Sequence, residues 1–427
     1  MKFLENNFFN CSYLFGKWIF GRKRKLDNLL SQVNGADLSI SKKELEQEYR
    51  KIQEQYTEIR LHTLLSRRIG EYIPRYLTAV EDCRENVQKG ILDVFILRDY
   101  KEHNSRLSKI MGRHIHIIDK TNIDIWKYTL CRFPKVEFDK YWGQYSDRST
   151  DSFFIPEKTS KYFTLTEEEE KEGNQKKILM GLNGPYVCAS SRDSKYLATI
   201  VPTIDCHYHD YRDSDINRLN LSADYLWDKG IDMVRMGRYV KDKADFNNCI
   251  DYANQYYDEL MDIVLMKDCK FYIGDTNGLL LLPMVLNCPV ALKNYVPFFN
   301  PSWSALPHNT NDLVILKKYY KRDENRFLSV REMMQVDRKV ACIGQRYNKL
   351  GIEVIENSAE EILDLVMEMN ARIDGEWIET SEDIELQKKF QNVVEEWAKL
   401  DNLKENEMFS GKIGAMFLRK NPFLLND

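Results

Sequence analysis

Apolar positions recur at steps of four and three over residues 42–66, at Leu45, Tyr49, Ile52, Tyr56 and Ile59, between Glu and Lys residues. That period predicts one long amphipathic helix whose stripe packs on a neighbouring domain; it covers too few heptads to favour a coiled-coil seam. The pattern then changes. Residues 93–97 form a compact apolar run ending at Arg98-Asp99, and a helix-compatible stretch leads to a second, β-branched run at 114–118. Strand, helix and strand at this spacing predict a βαβ unit with a parallel sheet. His114 and His116 fall on one side of the second strand, but no third ligand stands near them, so no metal is expected there.

Residues 139–176 read as a polar connection. Thr166 followed by Glu169 is a capping box, and the acidic run Glu167-Glu168-Glu169-Glu170 suits the positive end of a helix dipole. Gly184-Pro185 closes that helix. Beyond it the alternation is regular, with strands expected at 186–189, 231–235, 270–273 and 289–292 and helices at 221–229, 259–267 and 279–286. Apolar runs at 313–316 and 352–355 follow, and Ser358 caps a helix reaching about Met369. This is a second doubly wound α/β domain. Two such domains in tandem place a cleft between their strand C-terminal edges, where ligands of α/β sheets bind.

Charge and cysteine usage narrow the function. The 427 residues carry 62 Lys and Arg against 66 Asp and Glu, a net charge of −4 that lacks the basic excess of a nucleic-acid binder. The nine cysteines are scattered with no CxxC pair, as in a reduced cytoplasmic protein and unlike a disulfide framework or zinc site. No apolar run reaches the roughly 18 residues of a membrane-spanning helix. The first 25 residues stand apart. They hold Phe3, Phe8, Phe9, Tyr13, Phe15, Trp18 and Phe20, followed by Arg22-Lys23-Arg24-Lys25, for a local charge of +5. Such a segment either lies peripherally in a membrane interface or packs on the protein's own surface.

In an open parallel sheet the polar residues just after the strands are placed to meet ligand. Ser190-Ser191-Arg192-Asp193-Ser194 follows the first strand of the second domain, Arg235-Met236-Gly237-Arg238 the second, and Gly274-Asp275-Thr276-Asn277-Gly278 the third. Arg192 and Arg235 offer forked donors to phosphate oxygens. The loop from Gly274 to Gly278 lets backbone N–H groups approach a phosphate at a helix start. It is neither a Walker A loop nor GxGxxG, so a nicotinamide dinucleotide is not expected. A dense polar cluster runs from His207 to Asp215 and includes Arg212 and Asp213. Its Asp213-Ser214-Asp215 matches the DxD of some sugar transferases, but so short a match recurs by chance, and capping is the commoner role of Ser214 or Asp215. Asp262, on the helix leading to the third strand, is either a further site residue or an exposed helix charge. There is no GxSxG, and no Cys sits on a nucleophile elbow.

The series Tyr186-Val187-Cys188, Arg192-Asp193-Ser194, residues 208–216 (YHDYRDSDI), Val234-Arg235-Met236-Gly237, Phe271-Tyr272-Ile273-Gly274 and Val296-Pro297-Phe298 resembles a bacterial glycosyltransferase family found with surface-polysaccharide genes. The resemblance reaches Phe417-Leu418-Arg419-Lys420-Asn421-Pro422-Phe423, covers about residues 90–427, and is specific over 186–300. More distantly the chain is similar to heptosyltransferases and protein O-fucosyltransferases. The resemblance implies a GT-B architecture of two Rossmann-like domains, with a nucleotide-sugar held mainly by the C-terminal one. It implies that Arg192 contacts the pyrophosphate and that residues 275–278 receive the phosphates. Thr276-Asn277 stands where the family more often has Gly and Ser.

The expected organisation is a helical segment over 1–75, a first Rossmann-like domain over 76–175 for the acceptor, and a second over 176–427 for the sugar nucleotide. The expected reaction moves a sugar to a growing O-antigen, capsule or related polysaccharide without metal or other cofactor, on a cytoplasmic chain at the inner membrane face. Ser191, Arg192, Arg212, Arg235, Met236, Gly237, Asp262 and residues 274–278 would hold the sugar nucleotide. Arg192 neutralises the leaving diphosphate, and Asp99, Asp193, Asp210 and Asp213 are the carboxylates open to the role of base. A nucleotide-sugar epimerase of the same fold and an inactive glycan-assembly scaffold remain as alternatives.

Overall fold

The structure is a computed structural model of the chain and describes residues 40–97, 104–119, 121–138, 159–203, 205–299, 311–340, 343–403 and 409–426. It divides into two compact units, Met1–Asp147 and Arg148–Asp427.

The first unit is built on four parallel strands, β1 (Glu58–Leu64), β2 (Ile91–Leu97), β3 (His116–Ile118) and β4 (Val136–Phe138), in the order β3-β2-β1-β4. Helices Ile69–Val87, Ser105–Met111 and Ile123–Arg132 make the crossovers. Residues 91–96 of β2 are all buried, as in parallel strands covered on both faces. The expected helix over 42–66 is corrected here. A helix does begin after Ser41, whose capping box with Glu44 is complete, but it ends at Gln55, and Tyr56 is already extended. Residues 58–64 are the central strand β1, because Ile59, Leu61 and Leu64 are buried in the sheet core between polar neighbours. The helical stripe Tyr49, Ile52 and Tyr56 packs on that same core. The strand expected at 114–118 is confined to its last three residues, and His116 meets Trp126 edge to ring at 6.0 Å between centroids.

The second unit has seven parallel strands: β5 (Tyr186–Ala189), β6 (Asp232–Arg235), β7 (Cys249–Ile250), β8 (Tyr272–Gly274), β9 (Val290–Tyr295), β10 (Leu313–Leu316) and, last in the chain, Lys412–Ile413. Between β10 and that last strand lie β11 (Lys318–Lys321), β12 (Arg326–Phe327) and β13 (Ile352–Ile355), so Lys412–Ile413 is β14. The order β14-β10-β9-β8-β5-β6-β7 shows the chain leaving β5 toward one edge and returning to build the other. The strand order therefore reverses between β5 and β8, and ligands of doubly wound sheets bind at the carboxyl ends of such a switch point.

Capping boxes at Thr166 and Ser358 start the helices Glu167–Leu179 and Ala359–Ile373 as the sequence predicts, and a third starts Ser381–Asp401 from Thr380. Glu167–Leu179 falls in the second unit, where Glu170 and Lys176 pair with Lys267 and Asp258 at 2.7 and 2.6 Å. The 352–355 run is a strand, but it belongs to a separate antiparallel sheet, β12-β11-β13, outside the parallel one. Among the described residues no helix is long and apolar enough to cross a membrane.

Candidate functional site

The carboxyl ends of β5 and β8, either side of the switch point, are joined by Asp275. Its carboxylate is fully buried and accepts from the Arg192 backbone N–H at 2.7 Å and from Ser214 Oγ at 2.6 Å. A third donor is Lys293 Nζ at 2.7 Å, from a lysine that is itself fully buried on β9. Lys293 also donates to Ser191 Oγ at 2.9 Å and Ser214 Oγ at 3.2 Å. One carboxylate and one ammonium thus tie together the loop after β5, the loop after β8, strand β9 and the 207–215 segment.

The 207–215 segment folds over this pair as a 3-10 turn, His207–Arg212, ending at Asp213. Arg192 is buried and donates to the Asp213 carboxylate and to the His209 carbonyl at 3.3 Å. Arg212, also buried, donates to the Thr276 carbonyl. Lys317, directly after β10, donates to the carbonyls of Asp213 at 2.6 Å and Tyr211 at 3.1 Å. Among the described residues no carboxylate lies within ion-pair distance of Lys317, which is only 2% exposed. Burial, with Lys293 and Arg192 close by and Glu356 and Asp275 opposing, pushes the Lys317 ammonium down to about 8. Burial and the neighbouring Arg212 likewise lower Arg192 to about 10. Arg192, Arg212, Lys293 and Lys317 thus bring four buried cationic side chains to this switch point, of which Lys317 is held by backbone carbonyls among the described residues.

The remaining expected residues divide. Ser191 belongs to the cluster through Lys293. Thr276 contributes its carbonyl to Arg212, while its hydroxyl donates to the Val296 carbonyl at 3.1 Å. Asn277 caps the following turn by accepting from the Leu280 N–H at 3.1 Å, and its amide donates to Ser190 Oγ at 3.3 Å. Gly278 opens that turn, a 3-10 segment of three residues followed by a five-residue helix, so a helix dipole adds little here. Gly274 is needed for packing, since a Cβ there would run into the ring and hydroxyl of Tyr272. Gly237 sits at φ +146°, with Val240 Cγ1 2.8 Å from where its Cβ would be. Met236 is buried, and its N–H donates to the Ala189 carbonyl at 2.7 Å.

Arg235 turns away from the cluster into a buried pair with Asp251 at 3.0 Å and also donates to the Asp242 carbonyl at 2.9 Å. Asp262 is no exposed helix charge: it is buried and accepts from the Tyr252 hydroxyl at 2.8 Å. Asp193 accepts the N–H groups of Lys195 at 2.8 Å and Lys241 at 3.0 Å. Asp210 is exposed and pairs with His207 Nδ1 at 2.8 Å. Asp99 lies outside the described residues. Lys293 and Lys317 are members that the sequence analysis does not name, and Ser214 is one it expects as a cap. The signal of the two lysines is a lysine directly behind an apolar run, in Val290-Ala291-Leu292-Lys293 and Leu313-Val314-Ile315-Leu316-Lys317.

No protein-family model matches the chain, and no curated protein matches it. Among solved structures it is similar to a glycosyl transferase family 9 protein from Veillonella parvula DSM 2008, at 12% identity and a TM-score of 0.43 over 78% of this chain and 100% of that one. The E. coli ADP-heptose lps heptosyltransferase II aligns at 12% identity and a TM-score of 0.39 over 74% and 100%. A dodecameric iron-containing heptosyltransferase, TibC, aligns at 11% and 0.35 over 76% and 79%.

Proposed function

We propose that the chain is a glycosyltransferase that moves a sugar from a nucleotide-sugar onto a growing surface glycan such as O-antigen or capsule. The observation that carries this reading is the gathering of four buried cationic side chains, Arg192, Arg212, Lys293 and Lys317, at the switch point of the second sheet. A buried ammonium held by carbonyls, as Lys317 is among the described residues, is costly, and a multiply charged anion beside it relieves that cost. The diphosphate of a sugar nucleotide has that charge and the oxygen geometry that a guanidinium and ammonium groups match. As the glycosidic bond to the sugar breaks, negative charge grows on the departing diphosphate. Fixed cations in a site shielded from water stabilise that charge without reorganisation. The side chains thus take the role a divalent metal has in other transferases, and a carboxylate, with Asp193, Asp210 and Asp213 the candidates on this unit, takes the acceptor hydroxyl's proton.

Arg192→Ala is expected to lower transfer by about a hundredfold or more while circular dichroism stays unchanged, the size seen when one charge-stabilising donor is lost. Full activity in that variant overturns the assignment. A thermal-shift series over nucleoside diphosphates and their sugars names the substrate. Incubation without acceptor separates transfer from epimerisation, since only an epimerase returns an altered sugar nucleotide. The acceptor is lipid-linked in this reading, and residues 1–25 hold the chain at the inner membrane face.

A further inference from the structure

The two carboxylates of the cationic cluster are bonded in different ways. Asp275 is fully buried and takes three donors, from the Arg192 N–H, Ser214 Oγ and Lys293 Nζ. Asp213 has one side-chain bond among the described residues, to Arg192, and its side chain is 27% exposed where that of Arg192 is 9% exposed. The backbone around Asp213 is independently fixed. Its N–H donates to the Asp210 carbonyl at 2.9 Å, its carbonyl accepts from Lys317 at 2.6 Å, and the Ser214 N–H donates to the Arg192 carbonyl at 2.9 Å. Rotation about the Asp213 side-chain bonds alone therefore moves the carboxylate off Arg192 and leaves the loop in place.

The geometry points to Asp213 as a displaceable counter-ion that competes with the ligand's phosphate for Arg192. This rests on the diphosphate reading above and adds a residue that sets which anions bind. A weak monoanion replaces one carboxylate contact and gains nothing more. A diphosphate that reaches Arg192 and Lys317 together gains two charge-assisted contacts for the one it breaks. Asp213 in this role is a positioning and selectivity residue. A general base at the same position would show the opposite signature, a loss in kcat with affinity unchanged.

The test is calorimetric titration of the full chain and of Asp213→Asn with inorganic pyrophosphate and with nucleoside diphosphates at one ionic strength. The variant keeps the side-chain shape and the backbone contacts and removes the charge. Pyrophosphate is expected to bind Asp213→Asn about tenfold more tightly, and Asp213→Glu, which restores the charge, is expected to return toward wild type. If the wild-type chain binds and Asp213→Asn binds equally or more weakly, with an unchanged melting midpoint, the counter-ion role is overturned and the diphosphate site stands. If neither protein binds pyrophosphate or any nucleoside diphosphate, both the site and the role fall. Asp213→Ser removes the same charge and gives the same reading where the Asn variant does not fold.

Discussion

Lys293 and Asp275 show how far this site departs from ordinary core chemistry. Both side chains are fully buried, in contact at 2.7 Å. Removing one member of such a pair strands the other charge and costs about 3–5 kcal/mol, whereas replacing both by apolar groups is often neutral. Lys293→Met should therefore lower the denaturation midpoint sharply, and Lys293→Met with Asp275→Leu should recover much of the loss. Equal destabilisation of the single and double variants would mean that Lys293 acts through packing. Lys317 carries a pH prediction. Its folded value near 8 lies below the 10.5 of an unperturbed lysine, so between those values the unfolded chain holds more protons. Stability from this residue thus rises as pH goes from about 8 to 10.5. Anion affinity moves the other way, because the charge facing Arg192, Lys293, Asp275 and Glu356 is lost. Pyrophosphate binding should fall about tenfold between pH 7 and pH 9.5. Lys317→Arg, whose charge does not titrate there, should flatten that fall.

At the scale of elements, one close helix contact makes a sharp test. Gly173 lies inside the helix Glu167–Leu179, where Ala would ordinarily be better by about 0.8–1 kcal/mol. A Cβ at Gly173 would lie 2.7 and 2.9 Å from the two methyl groups of Val264, on the helix Glu259–Asp268. Overpacking of this kind costs about 1–3 kcal/mol, so Gly173→Ala should lower the melting midpoint and added Val264→Ala should restore part of it. Much at this scale is legible in the sequence. Strands β5, β6, β8, β9 and β10 of the second unit lie on runs that the sequence marks, β7 and β14 being two-residue strands it does not, and the capping boxes at Thr166 and Ser358 mark helix starts to the residue. Residues 58–64 are harder, because Tyr56 and Ile59 continue a helical stripe while Ile59 and Leu61 already alternate as a strand. Ile352–Ile355 has the same composition whether its neighbours run parallel or antiparallel. The site divides similarly. Arg192, Arg212 and Asp275 stand on loops where strand-end reasoning looks, but Lys293 is inside a strand. For Arg235, nothing local tells a ligand-facing guanidinium from one turned toward a carboxylate sixteen residues on.

For the whole molecule, a net charge of −4 is the sum of two opposed parts, +5 over residues 1–25 and −9 over the rest. Those 25 residues lie outside the described ones, and the argument from them is one of charge and composition. An acidic body is repelled by an anionic bilayer within a Debye length, about 8 Å at physiological salt. A basic segment gains about 1 kcal/mol per Lys or Arg near such a surface, and aromatic rings add burial at the headgroup level. A lipid-linked acceptor would make that asymmetry useful, since it holds the chain where the acceptor is while the body stays in water. The full chain should co-sediment with vesicles containing phosphatidylserine or phosphatidylglycerol and be released by high salt, and it should bind neutral vesicles weakly. Deleting residues 1–25 should abolish sedimentation without changing pyrophosphate affinity, because every member of the cationic cluster lies in the second unit. Unchanged sedimentation after the deletion would assign membrane contact to another surface and return the segment to a packing role.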